Sequence, residues 1–253
     1  MLSPDIVPSD TLNAAESIAA TFDSVIAEFN ESPGMARFWN QELNASHWAS
    51  LMREIYFHTR ENPQIQALAT VHFRGDKRAM VKPFLRHAIS EVGHDQLALD
   101  DVAALGYDTA TLPSEQPLPA TTAITAYPFY QITNLNAVGY LGYLYFLEHM
   151  PTRFGPEYMK TLATMGVSEQ AMSFLHDHST IDIGHTQLMQ QYIETLVTSE
   201  SDLEAVRYAL RTTGELYGQM VTAAFAAADE REDFGTNYDE LAALAERPTA
   251  SVA

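Results

Sequence analysis

From about residue 10 to residue 230, apolar side chains recur every three to four positions, the period of a helix that buries one face. No stretch alternates apolar and polar residues as a half-buried strand would. A chain written this way can bury its apolar surface only by packing helix on helix, so the expected fold is all-α. The pattern predicts helices over about 10–30, 34–61, 64–73, 76–105, 119–150, 155–165, 168–198 and 201–230. Thr11 and Ser201 stand just ahead of apolar-periodic runs and read as N-caps. Gly75, Asp76 and Gly106 read as helix punctuation, while Pro83 and Pro128 fall inside predicted helices and should mark a kink or a boundary. The segment GYDTATLPSEQPLP (106–119) reads as a long loop. Seven to eight helices then form one domain over residues 1–235, with a short acidic helix and tail at 236–253.

The chain contains no cysteine, which removes disulfides, thiolate metal sites and cysteine nucleophiles together. Any metal must be held by His, Asp and Glu. A net charge of −19 over 253 residues repels nucleic acid and anionic membranes alike. The longest apolar run, AVGYLGYLYFLEHM (137–150), is too short to span a bilayer, and no basic segment followed by an apolar run opens the sequence. The expectation is a soluble, cytoplasmic protein.

One helix of this pattern carries groups that a core helix ordinarily avoids. FLHDHSTIDIGHTQLM (174–189) places His178, Asp182 and His185 at offsets of four and seven, which fall within about 60° of one another around a helix. RHAISEVGHDQL repeats the spacing with His87, Glu91 and His94, and a third apolar helix carries Glu148. A single acid-x-x-His pair is expected about once from this composition, but the full H-x-x-x-acid-x-x-H only about 0.04 times. It occurs twice, on amphipathic helices each time. Unpaired carboxylates converging in an apolar interior cost several kcal/mol and repel one another, unless a cation neutralises them. Oxygen and imidazole donors without thiolate favour iron, manganese or zinc, and facing carboxylate–histidine pairs are how helical bundles hold two metals.

Glu91-x-x-His94, Glu148 and His178-x-x-x-Asp182-x-x-His185 together resemble the heme-oxygenase-like diiron oxidases and oxygenases, with the similarity running from about residue 35 to 230. The resemblance implies a heme-oxygenase-like bundle in which Glu91, His94, Glu148, His178, Asp182 and His185 hold two iron ions, with Glu148 and Asp182 as bridging or shifting carboxylates. It further implies O2 as cosubstrate, an external electron donor, and a small metabolite as substrate. Reactions in that family include N-oxygenation of amino-acid-derived amines, oxidative C–C cleavage and decarboxylation of fatty acids. His87 sits where some members place a glutamate ligand, and Glu54 and Glu61 are candidates for an extra carboxylate from the first core helix. The alternatives are a ferritin-like diiron oxidase, a metal-storage protein without oxygenase activity, and a metal-free member of the same superfamily.

The remaining features carry less. His149 points about 100° away from Glu148 on their helix, His176 and Asp177 face away from the His178 stripe, and His47, His58 and His72 lack partner spacing. The aromatic series Tyr127, Phe129, Tyr130, Tyr140, Tyr143, Tyr145 and Phe146 reads mainly as core, with Tyr140 and Tyr145 candidates for a substrate pocket and Arg86 for its charged end. Seven of the 14 basic residues (Arg53, Arg60, Arg74, Lys77, Arg78, Lys82 and Arg86) lie between positions 53 and 86. They form either a solvated face or an anchor for a carboxylate substrate or an acidic carrier protein, and a reductase is a separate candidate partner. A homodimer is left open.

Overall fold

The computed structural model describes residues 14–230, apart from the side chains of residues 180–186. Its α-helices run in the order α1 (Ala14–Asn30), α2 (Pro33–Trp39), α3 (Ala45–Thr59), α4 (Asn62–Ala69), α5 (Val81–Ser90), α6 (His94–Ala104), α7 (Pro119–Asn134), α8 (Tyr140–Thr164), α9 (Ser173–Leu196) and α10 (Glu200–Glu230). No strand occurs among the described residues. Residues 140–146, YLGYLYF, are buried without exception, and so is every residue of α3. Helices buried on all sides belong at the centre of a bundle. α8 packs against α9 and α10, α3 against α6 and α10, α1 along α10, and α4 against α5. One apolar core runs through all of them, from Ile18 on α1 to Phe225 on α10.

Two glycines set how closely these helices approach. A Cβ on Gly142 would stand 2.1 Å from the Val206 carbonyl oxygen and 2.6 Å from the Leu210 nitrogen, so α8 meets the backbone of α10 directly. A Cβ on Gly214 would stand 2.2 Å from Val25 Cγ1, where α10 meets α1.

Several predicted helices are cut differently. The expected helix 34–61 breaks between Asn40 and Asn44, where Gln41 takes φ 57° and Asn44 caps α3, accepting from the Ser46 N–H at 3.0 Å while the Asn44 N–H donates to His47 Nδ1. The expected helix 76–105 is a 3-10 turn (Gly75–Met80), then α5, then α6, with the last break at Gly93 (φ 98°). The expected 119–150 ends at Asn134, and α8 absorbs the predicted 155–165, running through Pro151 and Pro156. Each proline removes one backbone bond, and packing of α8 on both sides outweighs that loss. Pro128 likewise lies inside α7 without a boundary, while Pro83 occupies the first turn of α5, where its missing N–H is not needed. The α10 cap is Ser199, whose Oγ accepts the Asp202 N–H at 3.1 Å, and Ser201 is already helical. Thr11 and the segment 236–253 lie outside the described residues. No described helix is long and apolar enough to cross a membrane.

Candidate metal centre

The break between α5 and α6 builds the site. His87 lies on the inner face of α5 with Phe84 and Ala88, and Glu91 follows one turn later as the residue that closes the helix. Gly93 then takes a left-handed conformation that L side chains rarely adopt, and His94 opens α6. The turn returns His94 to Glu91, with Nδ1 3.2 Å from Oε2. On the other side, His87 Nε2 lies 3.5 Å from Glu91 Oε1 and 3.0 Å from Glu148 Oε1 of α8. The His94 ring meets the His178 ring of α9 edge-on at 5.0 Å.

These donors fall into two groups, Glu91 with His94 and His178, and His87 with Glu91 and Glu148; within each, one donor atom per residue lies within 4.8 Å of the others. Glu91 belongs to both. Burial pushes its carboxyl up, but the hydrogen bonds and charges of His87 and His94 outweigh this and hold it well below the usual carboxylate range. Glu91 is therefore an anion at neutral pH.

His178 is oriented by its own helix. Its Nδ1 lies 2.7 Å from the Phe174 carbonyl oxygen one turn earlier, and its ring stacks on Phe174 at 4.1 Å. A carbonyl only accepts, so Nδ1 carries the proton and Nε2 keeps its lone pair for a metal. The start of α9 is fixed in turn by Asp101 of α6, a fully buried carboxylate that accepts from Ser173 N at 2.8 Å, Ser173 Oγ at 2.6 Å and Phe174 N at 3.1 Å. Asp101 was not singled out in the sequence, because an Asp inside a helix gives no sign of capping a different one. The backbone of α9 is helical through positions 178, 182 and 185, which share a face, but the side chains of Asp182 and His185 lie outside the described residues.

The other candidates stand elsewhere. Glu54 is fully buried but committed: it pairs with Arg53 and accepts from Leu118 N at 2.9 Å and Thr121 Oγ1. Glu61 pairs with Arg60 at 3.1 Å, at the junction of α3 and α4. Neither enters the two groups. Tyr145 faces α1, stacked on His149 at 3.7 Å and edge-on to Phe22, and Arg86 is exposed on the outer face of α5. Tyr140 is buried near the centre, and so is Tyr192. Burial and, for both, the charge of Glu148 push their phenols up, and neither hydroxyl has a hydrogen-bond partner among the described residues. His47 serves the α3 cap and pairs with Asp229 at 2.9 Å, while His72 and His176 are exposed.

A cavity of about 110 Å³ opens beside the centre, and Glu91, Glu148 and His178 are part of its wall. The rest is mainly apolar, including Met52, Ile55, Leu144, Leu147 and Phe174, with His58, Thr59, Asn62 and Gln66 as polar members. Tyr140, Tyr145 and Arg86 do not line it.

The fold and these donors define a helical protein with a candidate cation site, and sequence comparison places it. Residues 49–218, more than half the chain, match the model of the family described as iron-containing redox enzyme, and the chain belongs to that family. No curated protein matches it significantly. Its fold is that of a domain of unknown function with a heme oxygenase-like fold from Shewanella denitrificans, with a TM-score of 0.76 at 24% identity over 88% of this chain and 95% of that one. A TenA homologue from Pseudomonas syringae pv. tomato superposes with a TM-score of 0.67 at 13% identity, covering 85% of this chain and 93% of that one. A TenA homologue from P. horikoshii gives 0.68 at 9% identity, covering 84% and 98%. The described residues are thus all-α in a heme-oxygenase-like fold, which sets aside the ferritin-like bundle.

Proposed function

We propose that this protein is a nonhaem diiron enzyme that uses O2 to oxidise a small metabolite, supplied with electrons by an external reductase. The observation that carries the reading is Glu91, an ionised carboxylate shared by two donor groups, since one carboxylate facing both sides is what a pair of cations requires. The donor set fits iron: carboxylate oxygens and imidazole nitrogens, with no thiolate in the chain. His94 and His178 would hold one ion with Glu91, and His87 and Glu148 the other with Glu91. In this reading Glu91, common to both groups, would serve both ions, and Asp182 and His185 would complete the set from the shared face of α9. Two iron ions would supply the electrons that reduce O2 and the oxidising power turned on the substrate.

The protein's own residues provide the rest. The Phe174 carbonyl keeps His178 Nε2 turned out as a donor, and Asp101 keeps α9 in register with α6. Tyr140 and Tyr192 hold their phenolic protons beside Glu148. The apolar cavity wall binds the substrate and keeps bulk water from it.

Anaerobic iron loading followed by metal analysis tests this. The expected result is two irons per chain, falling to one or none in Glu91→Ala and in His185→Ala, with O2 uptake that depends on an added substrate. Less than one iron per chain in the unaltered protein, unchanged by either substitution, would refute the proposal. Iron uptake with no O2-dependent product from any substrate would instead mark a storage protein.

A further inference from the structure

Leu144, Leu147, Glu148, Pro151 and Tyr158 share the inner face of α8, and all line the cavity. At a rise of 1.5 Å per residue, the ten positions from Glu148 to Tyr158 extend it roughly 15 Å from the metal centre. Most of that length is hydrocarbon and aromatic ring. Among the polar side chains of the wall, two stand out: Gln66, only 1% exposed, and Tyr158, 7% exposed. Gln66 Nε2 and the Tyr158 hydroxyl have no hydrogen-bond partner among the described residues. A buried donor left unmatched is costly, and a ligand that accepts from it recovers the loss.

The charge in the wall is one-sided. No lysine or arginine lines the cavity among the described residues. His58 adds no positive charge at neutral pH, because burial pushes its imidazole down to about 4. The acidic side chains in the wall are Glu91 and Glu148, both members of the two donor groups. A zwitterionic head would therefore bring a carboxylate that no lysine or arginine of the described wall can pair with, set beside two acidic side chains and desolvated.

We propose that this cavity takes a largely hydrocarbon molecule bearing a neutral hydrogen-bond acceptor held by Gln66 Nε2, and that it rejects α-amino acids. This names the substrate class of the proposed oxygenase and rests on that reading for the ligand's fate, but its binding can be measured without iron. Trp48 lines the cavity and is one of two tryptophans, so Trp39→Phe leaves it as a single fluorescent reporter. Hexan-2-one, 1-hexene and 2-aminohexanoic acid are titrated into metal-free and iron-loaded protein, with iron content assayed on the same samples.

The ketone should give a saturable Trp48 change, with 2-aminohexanoic acid at least about tenfold weaker. Gln66→Met, of similar volume, should weaken the ketone about tenfold and leave 1-hexene within about twofold, the loss of one hydrogen bond to a matched group. A merely structural Gln66 would weaken both ligands alike, and that result overturns the assignment, as does an amino acid that binds as tightly as the ketone or a Trp48 signal that no probe moves. Should Gln66→Met not fold, the three-ligand comparison on the unaltered side chain decides the class, and Tyr158→Phe tests the second donor in the same way. Ketone binding that persists in protein that takes up no iron would sink the diiron reading and leave this one standing.

Discussion

His58 should make the protein acid-sensitive by a measurable amount. It lies on α3, only 2% exposed, with Nε2 2.7 Å from the Tyr143 hydroxyl, which in turn donates to Asn62 Oδ1 at 2.8 Å. The phenol has one proton and gives it to Asn62, so it accepts from His58 Nε2–H and the ring is the neutral Nε2 tautomer. A second proton would charge a fully buried ring, and burial lowers its pKa from 6.5 to about 4. The unfolded chain takes up that proton below about pH 6.5, while the folded chain resists it until about pH 4. Stability from this group is thus complete above pH 6.5 and is lost as pH falls toward 4. Two and a half pKa units correspond to about 3 kcal/mol, or about 1.4 kcal/mol per pH unit in the middle of the window. Urea unfolding of metal-free protein at pH 7.5, 6.5, 5.5 and 4.5 measures it, with His58→Leu as the non-titrating reference. The stability of the unaltered protein minus that of His58→Leu should fall by about 2–3 kcal/mol between pH 7.5 and 4.5. A difference that stays constant with pH would refute the assignment of a neutral, proton-refusing His58.

Asp101→Ala removes three hydrogen bonds from the start of α9 and should cost about 1–3 kcal/mol in chemical denaturation, with iron affinity falling as His178 loses its register; unchanged stability would deny Asp101 that role. Gly142→Ala sets a methyl against the Val206 and Leu210 backbone, which cannot rotate away, and should destabilise by about 1–3 kcal/mol by the same assay, whereas a neutral effect would mean that α8 and α10 separate freely. Arg78 and Lys82 are outside the cavity wall, so replacing both by Ala should leave Trp48-detected ligand affinities within about twofold; a tenfold loss would bring the basic segment into the small-molecule site.

How much of this could be read in advance divides by the range of the signal. The helix period reports burial on one face, and it marked out the helical course of nearly the whole described chain. It is blind to a break that leaves burial unchanged. Gln41 with a positive φ, and Asn44 as a cap, interrupt the expected helix 34–61 without altering its apolar spacing. The opposite error occurs too: Pro128 lies inside α7 without a boundary, and the expected gap between 150 and 155 is helical, because tertiary packing holds α8 through Pro151 and Pro156. Spacing singles out His87, Glu91 and His94, and on α9 His178, Asp182 and His185, because a stripe of donors on a helix is a local pattern, whereas Glu148 carries no such spacing of its own. Asp101, Gln66 and Tyr158 were invisible in sequence, because each acts on an element distant in the chain.

Gly93 shows why local spacing was informative at the metal centre despite a mistaken helix. The repeat His87-x-x-x-Glu91-x-x-His94 reads in sequence as one face of a continuous helix, yet the chain leaves the helix at Glu91 and re-enters it at His94. An uninterrupted helix would point all three donors in nearly one direction, which suits a single cation. With the left-handed residue inserted, His87 and His94 approach opposite oxygens of Glu91, Oε1 and Oε2. The break thus makes one carboxylate common to two donor groups. Replacing Gly93 with a β-branched residue, which resists positive φ, should therefore reduce iron capacity toward one ion per chain before it unfolds the bundle. Full iron capacity retained in Gly93→Val would show that the turn is incidental to the pairing of the two groups.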